Sequence, residues 1–141
     1  SRAIFYRRKQ NFPIDQVKIA VVVQKMVNSE ISGIMFTANP ITNDLDQIVI
    51  ESGYGLGEAI VSGSITPDTY LILKKDLSIL DKQISKQTWK FAKAKEGNIK
   101  EQIPEEDQKK QKLKDKLIRE LAEIGYNIEK HYHKPMDRSE E

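Results

Sequence analysis

Residues 53–70 read GYGLGEAIVSGSITPDTY, and this stretch decides how the middle of the chain folds. It follows the apolar, strand-like residues 47–51 (QIVIE). Its glycines, Gly53, Gly55 and Gly57, fall within five positions, and a short helix-forming stretch comes next. Glycine at such a strand-to-helix turn permits positive φ and lets another group approach the backbone closely. The free amides at the start of the following helix favour anions, above all phosphate.

Two interpretations of this glycine-rich turn remain open. The spacing is G-x-G-x-G, whereas dinucleotide-binding turns have G-x-G-x-x-G, and no G-K-[S/T] follows as it does in a P-loop. Because neither pattern is met, a structural turn with tight packing competes with a phosphate-binding loop.

The composition is that of one globular domain. The chain has 141 residues, of which 38% are hydrophobic and 31% charged, so it can bury a core. A net charge of +2 is too mild to indicate a nucleic-acid-binding protein. The lack of cysteine excludes disulfides and thiolate metal sites. No apolar run reaches the roughly 20 residues of a membrane span. The start lacks Met and a signal-peptide pattern, so we expect a cytoplasmic fragment of a longer protein.

Apolar runs predict several strands. The strongest signal is at residues 17–27 (VKIAVVVQKMV), where three consecutive valines predict a central strand that is buried on both faces. Further strands are expected at residues 3–7, 33–37, 47–52, 70–74 and 77–84, the last two as a hairpin across Lys75 and Asp76. Residues 89–101 are polar and weakly periodic, which predicts a mobile connector or irregular strands.

Residues 104–132 are expected to form one long amphipathic helix. Apolar side chains recur there at steps of four, four, three and four, at Leu113, Leu117, Leu121, Ile124 and Ile128. Pro104 and the acids after it suit a helix start, and Pro135 suits its end. The apolar face is expected to pack on a core. The whole pattern predicts an α+β fold with a mixed, mostly antiparallel sheet and this helix on one face.

Five segments, taken together, resemble a known family. They are YRRKQNF (residues 6–12), AVVVQKMV (20–27), SGIMFTANP (32–40), GLGEAIVSGSITPD (55–68) and IEKHYHKPMD (128–137). In this order they look like the nucleotide-binding domain of the phosphoenolpyruvate synthase (pyruvate, water dikinase) family. Pyruvate phosphate dikinase and rifampicin phosphotransferase share this domain. The resemblance implies the C-terminal half of an ATP-grasp domain over residues 1–137, with residues 138–141 as a tail or truncation scar.

The resemblance also implies a ligand, ATP, and residues that contact it. The adenine would lie against the end of the strongest predicted strand, at Gln24, Lys25, Met26 and Val27. Glu30 could reach the ribose, although an exposed loop glutamate is the alternative. The other candidates, near the same cleft, are Thr37, Asn39, Gly55, Gly57 and Glu58. For Gln24 the alternative is an amide satisfied by neighbouring backbone at a strand end.

The chain departs from the family pattern at the metal-binding carboxylates. The family has D-x-E-W directly after K-P-x-D, and Asp137 matches the first acid. Ser139 stands where the glutamate is expected, and no tryptophan follows. The carboxylate pair that would hold Mg²⁺ in the full-length enzyme is therefore incomplete.

The two histidines, His131 and His133, form an H-x-H pair without a third ligand cluster, so a metal site is not expected. His133 stands where relatives usually carry glycine, just past the predicted helix. Histidine is among the residues tolerated at positive φ, so we expect a left-handed residue there.

In the full-length parent, the resemblance implies conversion of pyruvate, ATP and water to phosphoenolpyruvate, AMP and phosphate through a phosphohistidine on another domain. No complete catalytic set lies in this chain, which should be inactive alone. Its partners would be the N-terminal half of the ATP-grasp domain and the phosphohistidine and pyruvate domains, with no nucleic acid and no membrane. The alternatives are the equivalent domain of a rifampicin phosphotransferase, or a non-catalytic nucleotide-binding or regulatory module.

Overall fold

The described part of the chain folds as a five-stranded antiparallel sheet with one long helix on one face and a separate two-stranded hairpin. A computed structural model describes residues 21–140. In chain order the elements are β1 (Ile31–Phe36), β2 (Gln47–Tyr54), α1 (Glu58–Val61), β3 (Asp68–Leu73), β4 (Ile79–Gln83), β5 (Trp89–Lys93), β6 (Asn98–Gln102), α2 (Asp115–Tyr132) and β7 (Asp137–Glu140). The predicted α+β class is confirmed. In the part of the chain that is described, neither helix is long and apolar enough to cross a membrane.

The strand order of the main sheet is β4-β3-β2-β1-β7, and each neighbouring pair is antiparallel. Met35 pairs with Ile50, and Ile50 pairs with Tyr70, so these three residues lie in one row across the sheet. Directly paired residues point to the same face of a sheet. This register therefore defines one apolar face. The hairpin β5–β6 forms a second, two-stranded antiparallel sheet.

The core lies between this apolar face and α2. Tyr70, Ile118 and Ala122 are fully buried, and Met35 and Ile50 are nearly so. Burial of each large side chain contributes about 1.5–3 kcal/mol to the free energy of unfolding. The core therefore fastens the predicted helix to one face of the sheet.

The helix presents a different side to the sheet than the leucine periodicity predicts. The buried residues are Ile118, Ala122 and Gly125, whereas Leu117 and Ile124 are 44% and 50% exposed. A Cβ atom at Gly125 would lie 2.5 Å from Sδ of Met35, so the helix approaches the sheet through its small residues. Room for the Met35 side chain against Gly125, and not total hydrophobicity, distinguishes the buried side.

The prediction that this helix begins at residue 104 is wrong. It begins at Asp115, and residues 104–114 form turns. The amide of Lys112 donates to Oδ2 of Asp68 at 2.9 Å, and the amide of Leu113 donates to the hydroxyl of Tyr70 at 3.2 Å. Because these amides bond to side chains of β3, they do not donate to the carbonyls four residues earlier, as a helix running from residue 104 would require. The first helical hydrogen bond runs from the amide of Ile118 to the carbonyl of Lys114 at 3.0 Å.

Asp68 is the centre of a fully buried polar network. Its carboxylate lies 2.7 Å from Nζ of Lys112, and both side chains have no exposed surface. It also accepts hydrogen bonds from the amides of Ser85 and Lys112 and from the hydroxyl of Tyr70, each at 2.9 Å. Four donors fill the acceptor capacity of one carboxylate, which is the condition under which a buried charge is tolerated.

The predicted central strand at residues 17–27 is wrong as far as it is described. Residues 17–20, like the predicted strand at 3–7, lie outside the described residues, and residues 21–29 have no regular structure. Val21, Val22 and Val23 are 78%, 82% and 92% exposed. A strand needs a neighbour, and within residues 21–140 the pairings of the main sheet run only among β1, β2, β3, β4 and β7.

The remaining local predictions mostly hold. Strands cover residues 33–36 and 47–52, and β3 and β4 form the expected hairpin across Lys75 and Asp76. His133 ends α2 in the left-handed conformation, with φ 54°, as predicted. The prediction for residues 89–101 is wrong, because they form the regular hairpin β5–β6 with a turn at Gly97 (φ 74°).

Lys112→Met should lower the free energy of unfolding by about 3–5 kcal/mol, because it leaves the buried carboxylate of Asp68 without its counter-ion. Lys116→Met is the matched control. Its Nζ lies 4.0 Å from Glu120, and the two side chains are 86% and 52% exposed. The control should cost less than about 1 kcal/mol. Urea denaturation measures both, and equal losses would contradict the importance of the network.

The buried phenol of Tyr70 makes the free energy of unfolding depend on pH in the alkaline range. Burial raises the pKa of its phenol to about 12, whereas an unfolded tyrosine has a pKa of about 10. The folded chain keeps a proton that the unfolded chain releases, so stability should fall as pH rises from about 10 to about 12. Tyr70→Phe should reduce this slope, leaving the part due to Tyr54, whose pKa burial also raises. Tyr132→Phe, at an exposed position, controls for a lost hydroxyl. Denaturation at several alkaline pH values measures it; an unchanged slope in Tyr70→Phe refutes the assignment.

Candidate functional site

The glycine turn, residues 53–58, connects β2 to α1. Gly55 has φ 84°, and a Cβ atom there would collide with the carbonyl of Phe91. The Gly55 amide donates to the carbonyl of Glu30, and its own carbonyl accepts from Ser32, both at 2.8 Å. The Leu56 amide donates to the carbonyl of Phe91 at 2.9 Å. The close approach that the sequence predicted is thus made at Gly55 by the chain's own backbone, which supports the structural interpretation for this glycine.

The second half of the turn, residues 57 and 58, includes an exposed side chain. Gly57 is buried and precedes the first residue of α1 with φ −60°, so it needs no left-handed conformation. Glu58 is exposed, and its Oε2 accepts a hydrogen bond from Nδ2 of Asn98 at 2.8 Å. Among the candidates at this turn, Glu58 therefore has the most accessible charged group.

Thr37 and Asn39 lie at the other end of β1, and their polar atoms bond within the chain. Thr37 is 2% exposed, and its amide and hydroxyl contact the backbone of Met136 at 2.8 Å and 2.5 Å. Oδ1 of Asn39 accepts from the amides of Ile41 and Thr42 at 3.0 Å and 3.2 Å. Asn39 therefore shapes the turn after β1.

The candidates form two groups at opposite ends of the sheet. Glu30, Gly55 and Glu58 lie at the N-terminal end of β1. Thr37 follows its C-terminal end, where Asp137 pairs with Phe36. A strand of six residues spans about 20 Å. The two groups of candidates are thus separated by the length of β1, and one ligand would have to lie along β1 to meet both groups.

The four residues expected at the adenine are exposed. Gln24, Lys25, Met26 and Val27 belong to the irregular segment that leads into β1, and Met26 and Val27 are 40% and 56% exposed. They precede Glu30 in the chain, and Glu30 lies at the same end of β1 as the glycine turn.

The face of the sheet opposite α2 carries a carboxylate that the sequence analysis missed. Glu51 pairs with Ile34 on one side and with Thr69 on the other. Near Gly53 this face is covered, since a Cβ atom there would lie 2.7 Å from Ile65 and 3.4 Å from Ile60. Alternation along β2, with buried Ile48 and Ile50 toward the helix, is the signal that would have placed Glu51 on the opposite face.

Position 139 lies in the same row as Glu51. Ser139 pairs with Ile34, which pairs with Glu51, so residues 139 and 51 are two strands apart. The residues assigned to a tail by sequence, 138–140, belong to the edge strand β7. In the described part of the chain no three His, Asp or Glu side chains come close enough to hold a metal ion.

An apolar groove of about 410 Å³ lies on the helix side of β1. It is lined by residues of β1 and by Leu113, Leu117 and Leu121, and Glu30 is the one sequence-predicted site residue at its edge. The groove is therefore separate from the face that carries Glu51.

Comparison with known proteins identifies the family. Residues 1–138 match the family described as pyruvate phosphate dikinase, AMP/ATP-binding domain. The chain is 53% identical, over 96% of its length, to a probable phosphoenolpyruvate synthase of Methanocaldococcus jannaschii, of which it covers 12%. It is 45% identical, over 97% of its length, to the phosphoenolpyruvate synthase of Pyrococcus furiosus, of which it covers 18%.

A relative with a different name matches over the same span. The rifampicin phosphotransferase of Bacillus subtilis is 42% identical over 96% of the chain, which covers 16% of that protein. The chain thus spans less than a fifth of the length of each of these relatives. The match of the family model to nearly all of its residues shows that the chain belongs to the pyruvate phosphate dikinase AMP/ATP-binding domain family.

Proposed function

We propose that this chain is the ATP-binding part of a phosphoenolpyruvate synthase, as the C-terminal half of an ATP-grasp domain over residues 1–137. The observation that carries the proposal is the match of residues 1–138 to an AMP/ATP-binding family, together with relatives named phosphoenolpyruvate synthase. The full-length enzyme would convert pyruvate, ATP and water to phosphoenolpyruvate, AMP and phosphate in the cytoplasm. The phosphohistidine and pyruvate domains would lie in the rest of that polypeptide.

The proposed nucleotide lies along β1. The adenine contacts the segment with Gln24 and Met26, where backbone groups pair with the base edge and the thioether lies against the ring. The ribose is near Glu30, and the phosphates extend over the face that carries Glu51. An elongated ligand in this position accounts for candidates at both ends of β1, about 20 Å apart.

The role of the chain's own residues is to bind and orient ATP. On this proposal Gly57 and Glu58 border the nucleotide at one end of β1, and Thr37, Asn39 and Asp137 border it at the other. Holding the nucleotide in a fixed pose lowers the entropic part of the barrier to phosphoryl transfer. The group that accepts the phosphoryl lies on another domain, so this chain alone should not complete the reaction.

The described residues do not fit a Mg²⁺ site. Divalent cations prefer several oxygen ligands, but Ser139 replaces one of the expected carboxylates, and no cluster of three acidic or histidine residues is found among residues 21–136, whose side chains are described. Asp137 is the one carboxylate that the resemblance assigns to the metal. No step of the proposed reaction is therefore assigned to a metal held by this chain.

The relative from Bacillus subtilis supports a second candidate, the equivalent domain of a rifampicin phosphotransferase. A non-catalytic nucleotide-binding module is favoured only by Ser139. The two enzymes differ in the phosphoryl acceptor, which other domains bind. Assaying the full-length polypeptide with Mg·ATP and either pyruvate or rifampicin separates them: phosphoenolpyruvate formation supports the proposal, phosphorylated rifampicin supports the second candidate, and neither product supports the module.

The isolated chain should bind Mg·ATP weakly or not at all, because the opposite wall of the cleft and its cationic groups belong to the other half of the domain. Titration of Mg·ATP into ¹⁵N-labelled chain measures this. Small shifts confined to residues 24–27 and 53–58 would support the proposed site. Submicromolar affinity would contradict it.

Gln24→Ala in the full-length enzyme should raise KM for ATP more than it lowers kcat, because a contact to adenine is the same in the ground and transition states. Loss of one hydrogen bond corresponds to about 0.5–1.5 kcal/mol, or roughly threefold to tenfold in KM. Gln83→Ala, at an exposed position of β4, is the matched control. A Gln24 variant that melts early but keeps its KM would show that the amide is structural.

A further inference from the structure

We propose that residues 87–98, here called the bracing segment, hold the glycine turn in its conformation, and that Asn98 is a positioning residue for Glu58. The inference rests on the proposed function, in which Glu58 borders the nucleotide. It adds an element that lies outside every segment carrying the family resemblance.

The bracing segment contacts the glycine turn at three of the turn's residues, which alternate along the chain: Tyr54, Leu56 and Glu58. The side-chain amide of Gln87 bonds the backbone of Tyr54 twice, since Oε1 accepts from its amide at 2.8 Å and Nε2 donates to its carbonyl at 3.0 Å. The carbonyl of Phe91 then accepts from the amide of Leu56 at 2.9 Å. The bracing segment therefore runs alongside residues 54–56 much as a neighbouring strand would.

Each of these two contacts is shielded from water. Gln87 is 2% exposed, and its Nε2 also donates to the carbonyl of Trp89 at 3.0 Å, so the amide is saturated. Leu56 is 1% exposed. A Cβ atom at Gly55 would meet the carbonyl of Phe91 and lie 2.8 Å from Cβ of Lys90. Residue 55 must be glycine for the bracing segment to come this close.

The third contact differs because it is exposed. Nδ2 of Asn98 donates to Oε2 of Glu58 at 2.8 Å, across the end of the β5–β6 hairpin. Asn98 is the first residue of β6 and follows Gly97, whose φ of 74° closes the hairpin turn. The hairpin geometry thus fixes the place of the amide, and the amide orients the carboxylate of Glu58 while this bond is made.

These contacts differ in how easily they can be broken. Removing a buried bond leaves polar groups unsatisfied, whereas an exposed bond exchanges with water at low cost. The bonds at Tyr54 and Leu56 therefore fix the shape of the turn. The bond at Glu58 can release the carboxylate without unfolding the chain.

Backbone variants test the bracing segment without ATP. Gly55→Ala should speed hydrogen exchange at the amide of Leu56 about tenfold, because it separates this amide from Phe91. Gly63→Ala is the matched control, since Gly63 also has positive φ (70°) but nothing within 4 Å of a Cβ atom there. Equal acceleration at Leu56 in both variants would overturn this part of the proposal.

Side-chain variants test Asn98 even if Gly55→Ala fails to fold. Asn98→Asp places a carboxylate against Glu58, so the ¹³C signal of the Glu58 carboxyl group should shift. Asn127→Asp makes the same change at an exposed helix position and should leave it unaltered. An unshifted Glu58 signal in Asn98→Asp would refute the contact.

The positioning role is read in the full-length enzyme. Asn98→Asp should raise KM for ATP about threefold with a smaller change in kcat, and Asn127→Asp should change neither. An unchanged KM would overturn the positioning role. If the full-length protein has no ATP-dependent activity, the proposed function fails and Asn98 loses its role toward the nucleotide, while the exchange rates still decide whether the segment braces the turn.

Discussion

The buried carboxylate of Asp68 is the constraint on which the arrangement of this domain depends. Asp68 is the first residue of β3, and its carboxylate accepts hydrogen bonds from four donors, which belong to Tyr70, Ser85 and Lys112. Desolvating a carboxylate and an ammonium costs several kcal/mol each, and only complete pairing offsets that cost. The chain before α2 must therefore return to the start of β3. This requirement determines where the helix can start and over which face of the sheet it runs.

Because α2 covers one face of the main sheet, the two faces have different roles. One face is filled by α2, which approaches closely because Ala122 and Gly125 are small. The other face carries Glu51 and, apart from its end near Gly53, has no helix over it among the described residues. A sheet that is anchored on one face by a rigid core can present fixed polar groups on the other. The ion pair between Asp68 and Lys112 thus affects the proposed site indirectly, because it holds α2 on the opposite face of the sheet.

How much of this fold could be predicted depended on the sequence separation of the contacts. The hairpin across Lys75 and the left-handed His133 follow from neighbouring residues, and both predictions were correct. The start of α2 depends on Asp68, 44 residues before Lys112, and no local pattern reports that bond. The alternation of Trp89 and Phe91 was a local strand signal, but Lys90 between them and the lysines that follow obscured it. The buried side of α2 was missed because a stripe of leucines outweighs Gly125 in any count of hydrophobicity.

The site residues remain a prediction, and the structure adds to it how the glycine turn is packed. The glycine spacing could indicate that another group approaches the backbone at Gly55. It could not indicate that this group is the carbonyl of Phe91. Since the amides of Gly55 and Leu56 already donate to Glu30 and Phe91, they are not free to bind a phosphate. Any recognition of the nucleotide at this turn then falls to Gly57 and Glu58. Gly53 and Gly55 shape the turn, and the proposed function leaves the residues after them to meet the ligand. A motif that resembles a phosphate loop can therefore owe two of its three glycines to packing.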